Sequence, residues 1–260
     1  MRVADRSDTS SEQQTLTLQE AIDLGVAHHK AGDLPKAEGI YNQILEADPD
    51  QPVALHYLGV IAHQTGNNEK AVELITRALA LKPDYAEAHN NLGNIQGEEG
   101  NLNEAIGKFE KALFIKPDYA EAYNNIGTTL WKLGRLEEAV VKYKKALTIK
   151  PDYAEAHNNL GNIFMDLGFL QEAVSKYQTA LAIKPDFAEA YYNLGNANVE
   201  LGQQNEGIEH YKKALGIKPD YSEAQYNLGN LFLKIGRLND ALKHFQYLLL
   251  NQPNHVEGYN

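Results

Sequence analysis

Lys150-Pro151-Asp152-Tyr153-Ala154-Glu155-Ala156-His157-Asn158-Asn159-Leu160-Gly161-Asn162 decides how the whole chain is read. Near copies begin at Lys82, Lys116, Lys184 and Lys218, and prolines at 49, 83, 117, 151, 185, 219 and 253 stand 34 residues apart. A strict period of this length belongs to a stacked array of small units, none of which can bury its apolar faces alone. The 260 residues therefore read as one repeat domain, although the length alone would allow two globular ones.

Working outward from that stretch, Asp152 precedes Glu155 by three residues and reads as a helix N-cap with its capping-box partner. Asp84/Glu87, Asp118/Glu121, Asp186/Glu189 and Asp220/Glu223 repeat the pair, and Thr17/Glu20 opens the first helix in the same way. The first helices are expected near 86–98, 120–132, 154–166, 188–200 and 222–234, each followed by a glycine such as Gly134 or Gly168 that can turn left-handed. A second helix follows, closed by Lys150 and Pro151 or their equivalents. Small residues (Gly161, Ala173) alternate with large ones (Tyr143, Tyr177) on the same beat, which is how a thin two-helix layer reaches close packing. Repeat three carries Gly97 and Gly107 inside its helices and is expected to be the weakest unit.

The residues Leu160-Gly161, Ala173, Tyr177, Ala180 and Pro185 resemble the signature of the tetratricopeptide repeat (TPR) family, and Ile126-Gly127, Ala139, Tyr143, Ala146 and Pro151 spell it again with isoleucine for leucine. The resemblance implies an all-α fold, an α-solenoid of seven helix pairs wound into a right-handed superhelix with first helices lining its concave face. The repeats fall at 18–51, 52–85, 86–119, 120–153, 154–187, 188–221 and 222–255, within a repeat domain at 17–255. Residues 1–16 read as a disordered lead, and 256–260 as the start of an incomplete eighth repeat with Asn254 and Glu257 as its capping pair.

Composition narrows the function. A net charge of −11 lacks the basic face that nucleic acid or an anionic membrane demands. No apolar run is long enough to cross a bilayer, and the chain reads as cytoplasmic. There is no cysteine, and the histidines are scattered, with no acidic cluster near His28-His29 or His56/His63 at metal spacing. His89 and His157 alternate with Tyr123 and Tyr191 and so read as packing residues. No nucleophile elbow, phosphate loop or paired-carboxylate motif stands out, so neither catalysis nor a cofactor or metal is expected.

The candidate site is the helix face opposite the Leu-Gly seam. In repeat five that face holds Glu155, Asn158, Asn159, Asn162, Met165 and Asp166. Superposing the repeats gives one row of Asn91, Asn125, Asn159, Asn193 and Asn227, and a second of Asn94, Thr128, Asn162, Asn196 and Asn230. Asparagine is a mediocre helix former, but its carboxamide both donates and accepts and so can pair with a ligand backbone. Helices ~8–10 Å apart and an extended chain rising ~3.3 Å per residue bring one asparagine to roughly every third ligand residue. Copying of near-identical repeats would also produce the rows, yet Asn90, Asn124 and Asn158 have diverged to Tyr192 and Tyr226 while the first row has not.

Trp131, Met165, Val199 and Leu233 form an apolar stripe beside the rows, with Trp131 as its strongest anchor candidate. Glu87, Glu121, Glu155, Glu189 and Glu223 are assigned to capping, and Lys82, Lys116, Lys150, Lys184 and Lys218 to solvated helix ends. The asparagine rows resemble the groove of O-linked N-acetylglucosamine transferases, where equivalent asparagines bind substrate backbone. The first two repeats depart from that pattern with Asp23 and Tyr57. The lysine and arginine clamp of chaperone-binding TPR domains is replaced here by Asn124, Thr128, Asn158, Asn162, Tyr192 and Asn196.

The expected function is a non-catalytic scaffold that takes an extended protein segment. The alternatives are the substrate-recognition arm of a larger glycosyltransferase-like enzyme and a self-assembling scaffold. Phe245, Leu248, Leu249 and Leu250 exceed what one internal face needs and are the expected self-association surface, giving a homo-oligomer through the C-terminal end.

Overall fold

The computed structural model describes residues 16–251. The expected disordered lead (bar Leu16), the Asn254/Glu257 capping pair and the start of an eighth repeat lie outside the described residues. Among those residues there are fourteen α-helices and no strand. The pairs are α1 (Leu18–Lys30) with α2 (Leu34–Ala47), α3 (Pro52–Gln64) with α4 (Asn68–Leu81), α5 (Ala86–Glu98) with α6 (Leu102–Ile115) and α7 (Ala120–Lys132) with α8 (Leu136–Ile149). They continue as α9 (Ala154–Asp166) with α10 (Leu170–Ile183), α11 (Ala188–Glu200) with α12 (Gln204–Ile217) and α13 (Ser222–Lys234) with α14 (Leu238–Asn251).

The chain divides into two compact units, Met1–Thr129 and Leu130–Asn260. Within each unit a first helix packs on its own partner and on the second helix of the repeat before it, as α3 does on α4 and α2, and α11 on α12 and α10. The core follows that arrangement. In the first unit Ala71 and Ile75 of α4 meet Ala88, Leu92 and Ile95 of α5. In the second, Ala173 and Tyr177 of α10 meet Leu194 and Ala197 of α11.

Two glycine positions set this geometry. Gly134 and Gly168 hold φ of 74° and 77°, the left-handed backbone that ends a helix without a Cβ clash. Gly161 lies against Tyr177, where a Cβ would stand 2.6 Å from Cε1 of the ring. The small–large alternation is thus one helix seated on an aromatic ring.

The caps differ from the sequence reading. Thr17 and Glu20 do form a reciprocal capping box. In the later repeats the N-cap is one residue on, at Tyr85, Tyr153, Phe187 and Tyr221, and no side chain caps the helix. The Pro-Asp pair occupies a turn, and the aromatic residue swings its ring beneath the preceding lysine. Nζ of Lys82, Lys116, Lys150, Lys184 and Lys218 stands 4.6–4.9 Å from the ring centroids of Tyr85, Tyr119, Tyr153, Phe187 and Tyr221. These lysines are therefore cation–π partners that tie each turn down, where the sequence suggested solvated ends. Their glutamates change role with them: Lys116 pairs with Glu87 at 3.6 Å and Lys184 with Glu155 at 3.2 Å.

Candidate functional site

The second unit holds an open groove of about 580 Å³. Each wall residue comes from a repeated position. The last turns of α7, α9 and α11 supply Trp131, then Met165 with Asp166, then Val199 with Glu200, while α13 supplies Lys234. Asn162, Asn196 and Asn230 stand one turn earlier, with Asn193 and Asn227 beside them, and Leu231 and the hydroxyl ends of Tyr177 and Tyr211 close the floor.

The groove is pre-organised by its own hydrogen bonds. Tyr177 donates its hydroxyl to Asn162 Oδ1 at 2.8 Å, and Tyr211 donates to Asn196 Oδ1 at 2.6 Å. Trp131 Nε1 donates to Asp166 Oδ2 at 2.6 Å, fixing the half-buried indole as one wall. Burial pushes the Tyr177 hydroxyl well above its ordinary pKa, and the negative charges of Asp166, Glu189 and Glu200 push it further the same way. Tyr177 and Tyr211 hydroxyls therefore stay protonated donors throughout the physiological range.

The first asparagine row is not the exposed comb that the sequence suggested. Asn91, Asn125, Asn159, Asn193 and Asn227 are all half-buried, and most reach back one repeat. Asn91 Nδ2 meets His56 Nε2 at 2.9 Å. Asn125 Nδ2 donates to Asn90 Oδ1 at 3.1 Å and Asn94 Oδ1 at 2.9 Å. Asn193 donates to Asn158 Oδ1 at 3.0 Å, and Asn227 to the Tyr192 hydroxyl and Asn196 Oδ1. Asn158, expected on the groove face, is only 1 % exposed, because its amide lies between repeats and donates to Glu189. The first row is thus a stitch of amides between adjacent repeats.

In the second row Asn94, Thr128, Asn162 and Asn196 are half-buried and Asn230 is exposed. Within the groove the structure gathers seven predicted residues: Trp131, Asn162, Met165, Asn193, Asn196, Asn227 and Asn230. Asn91, Asn94, Asn125 and Thr128 belong to the first unit, and Asn159 is not a lining residue. Tyr192 lies against Tyr211 and Tyr221, with ring centroids 6.0 and 5.0 Å away, and Tyr226 lies against Phe245. These aromatic residues serve the stack, because each ring bridges to a neighbouring helix.

Sequence reasoning missed Glu200, Lys234, Tyr177 and Tyr211 as lining residues. The signal was present: Glu200 and Lys234 follow Asp166 at successive steps of the period. Tyr177 was read as a packing residue, and both rings are buried, but each tyrosine lines the groove and bonds one of its asparagines through the hydroxyl. Leu233 of the apolar stripe stays 46 % exposed and does not line it.

The C-terminal surface is also narrower than expected. Leu248 is 3 % exposed, and Phe245 is half-buried against Gly229 and Tyr226 of α13. Leu249 and Leu250 are exposed. Among the described residues no group of three or more His, Asp or Glu could hold a metal ion, and no helix is long and apolar enough to cross a membrane.

This is the architecture of a helix-pair repeat protein, and comparison with known families agrees. A family model described as TPR repeat matches residues 97–134, 130–168, 161–202 and 195–236, and tetratricopeptide repeat models match 28–95 and 223–255. The chain belongs to the tetratricopeptide repeat family. No curated protein matches it significantly.

Among solved structures it is similar to a chain of the APC/C hetero-tetramer Cut9-Hcn1, with TM-score 0.81 and 18 % identity over 92 % of this chain. The match covers 47 % of that chain, so the present sequence spans about half its length. It is also similar to MamA (TM-score 0.54, 26 % identity, 66 % of this chain and 94 % of that one). YrrB, titled a TPR protein with an unusual peptide-binding site, gives TM-score 0.52 and 24 % identity over 71 % of this chain and 95 % of its own.

Proposed function

We propose that this protein is a non-catalytic interaction module that holds an extended segment of another protein in the groove of its second unit. The observation that carries the reading is the groove itself. Repeated positions on successive helices converge on one open channel lined by an indole, carboxamides and tyrosine hydroxyls. Such a lining offers apolar contact together with donors and acceptors for a peptide backbone. The peptide-binding site named for YrrB and the multi-chain assembly named for Cut9-Hcn1 fit this class of role. Asn162, Asn196 and Asn230 of the second row, with Asn193 and Asn227 beside them, are the backbone contacts in this reading, and Trp131 and Met165 are the apolar anchors.

A chain binding protein partners in this way works in an aqueous compartment, for which the cytoplasm remains our assignment. Recognition on behalf of a glycosyltransferase would use the same groove and is the narrower form of the same reading.

Trp131 is the only tryptophan in the sequence, so its emission reports on this groove alone. A random twelve-residue peptide library panned on the intact chain should yield binders that shift Trp131 fluorescence. Asn230→Tyr, which crowds the groove from an exposed position, should abolish that shift while leaving the circular dichroism unchanged. Binders that leave Trp131 silent, or no binders at all, would overturn the proposal.

A further inference from the structure

The groove-lining helices of the second unit are charged unlike their partners. α9, α11 and α13 carry five carboxylates against one lysine, whereas their partners α10, α12 and α14 carry four carboxylates against four lysines. At the start of these helices the acid is partly compensated, since Lys184 pairs with Glu155. At their ends it is not. Asp166 and Glu200 are the last residues of α9 and α11, and both line the groove, where the one cation is Lys234.

A helix C-terminus is the wrong place for a carboxylate on stability grounds, because the backbone dipole there is already negative. The same repeat position carries Lys132 in α7 and Lys234 in α13, the residue type that the dipole favours. α9 and α11 have no basic residue in their last turns at all. Trp131 is fixed by Asp166, so its ring sits beside the first carboxylate. Glu200 has no hydrogen bond or ion pair among the described residues and stands near enough to the Tyr177 and Tyr211 hydroxyls to act on both electrostatically.

Resting on the groove reading above, we infer that the extended segment bound here carries a lysine or arginine, seated between Asp166 and Glu200 against the face of Trp131. A cation in that seat neutralises two acids held against their helix dipoles and meets an indole, the best aromatic surface for a cation. Charge complementarity of this kind sets partner choice and encounter rate more than raw affinity. Lys234 marks the end of the seat and repels a second basic residue placed further along.

The probe is the set of twelve-residue peptides selected on the chain, each compared with a copy in which every lysine and arginine is replaced by glutamine. The inference predicts that basic residues are enriched and that their removal weakens binding about tenfold or more. Asp166→Asn with Glu200→Gln, which keeps an acceptor for Trp131, should weaken the basic peptides to a similar extent and leave the glutamine copies unaffected. Lys234→Glu should tighten them. The double variant should also melt at a higher temperature than the parent, since the carboxylates oppose their helix dipoles. Peptides that shift Trp131 emission yet show no basic enrichment and no response to the double variant would overturn this inference and leave the groove reading intact. Failure to select any peptide would overturn both.

Discussion

His56 shows how a single side chain is committed by its neighbours. It is 2 % exposed, with Nδ1 at 2.9 Å from the Tyr85 hydroxyl and Nε2 at 2.9 Å from Asn91 Nδ2. Burial drives its pKa down to about 4 from the ordinary 6.5. The folded ring stays neutral while the unfolded one takes a proton, so stability is full above pH 6.5 and falls as the pH drops toward 4. One such group contributes on the order of 3 kcal/mol across that window. His89, His157, His210 and His244 are lowered by burial as well and add to the slope. Thermal melts between pH 7 and pH 4 should therefore fall steeply, and His56→Gln should flatten the curve without removing the slope. An identical curve for the variant would contradict this account.

Asn193 is the second residue-scale case. Its amide donates to Asn158, whose own amide donates to Glu189, so Asn193→Ala leaves a buried acceptor unsatisfied. The cost should be about 1–3 kcal/mol in a urea melt. Had the row been exposed, the cost would be near zero.

At the scale of the element, most of the helices were legible. The first helices at Ala86–Glu98, Ala154–Asp166 and Ser222–Lys234 match the expected ranges, because proline, glycine and a strict period fix both ends. The caps were not legible. An Asp with Glu three residues later satisfies the capping-box pattern, but the pattern cannot see that an aromatic residue between them has a core to enter and a lysine above it. Tyr85 and Tyr153 take the cap position for that reason, leaving the helix start without a side-chain acceptor. The site was legible in part for a related cause: repeat comparison finds which positions face one side, but not how far an amide reaches into the next repeat.

Repeat three tests propensity at this scale. A Cβ added at Gly107 would meet nothing within 4 Å, and one at Gly97 would only touch Ala105 at 3.6 Å. Gly107→Ala should therefore stabilise the protein by about 0.5–1 kcal/mol. Native-state hydrogen exchange should show faster amides at 96–100 than at 165–168. Equal protection would mean that packing between helices overrides the glycine penalty.

At the scale of the whole molecule, the period explains why no helix pair has a core of its own. Ala173 and Tyr177 of one repeat are covered by Leu194 and Ala197 of the next, so stability accumulates by neighbours. The same repetition makes the function: a position that is only a side chain in one repeat becomes a row when the units stack. Trp131, Met165 and Val199 are one position used three times, and Asp166, Glu200 and Lys234 are the position beside it. The groove is then a consequence of register, and substitutions at its exposed positions should alter binding with little effect on the fold. Asn230 is the clearest case, since it is exposed at the groove. The most direct measurement is a fluorescence titration of the intact chain with a library-selected peptide, repeated with Asn230→Tyr. The account predicts a saturable shift in Trp131 emission for the parent and none for the variant. Binding by calorimetry with unchanged Trp131 emission, or equal affinity for the two proteins, would contradict it.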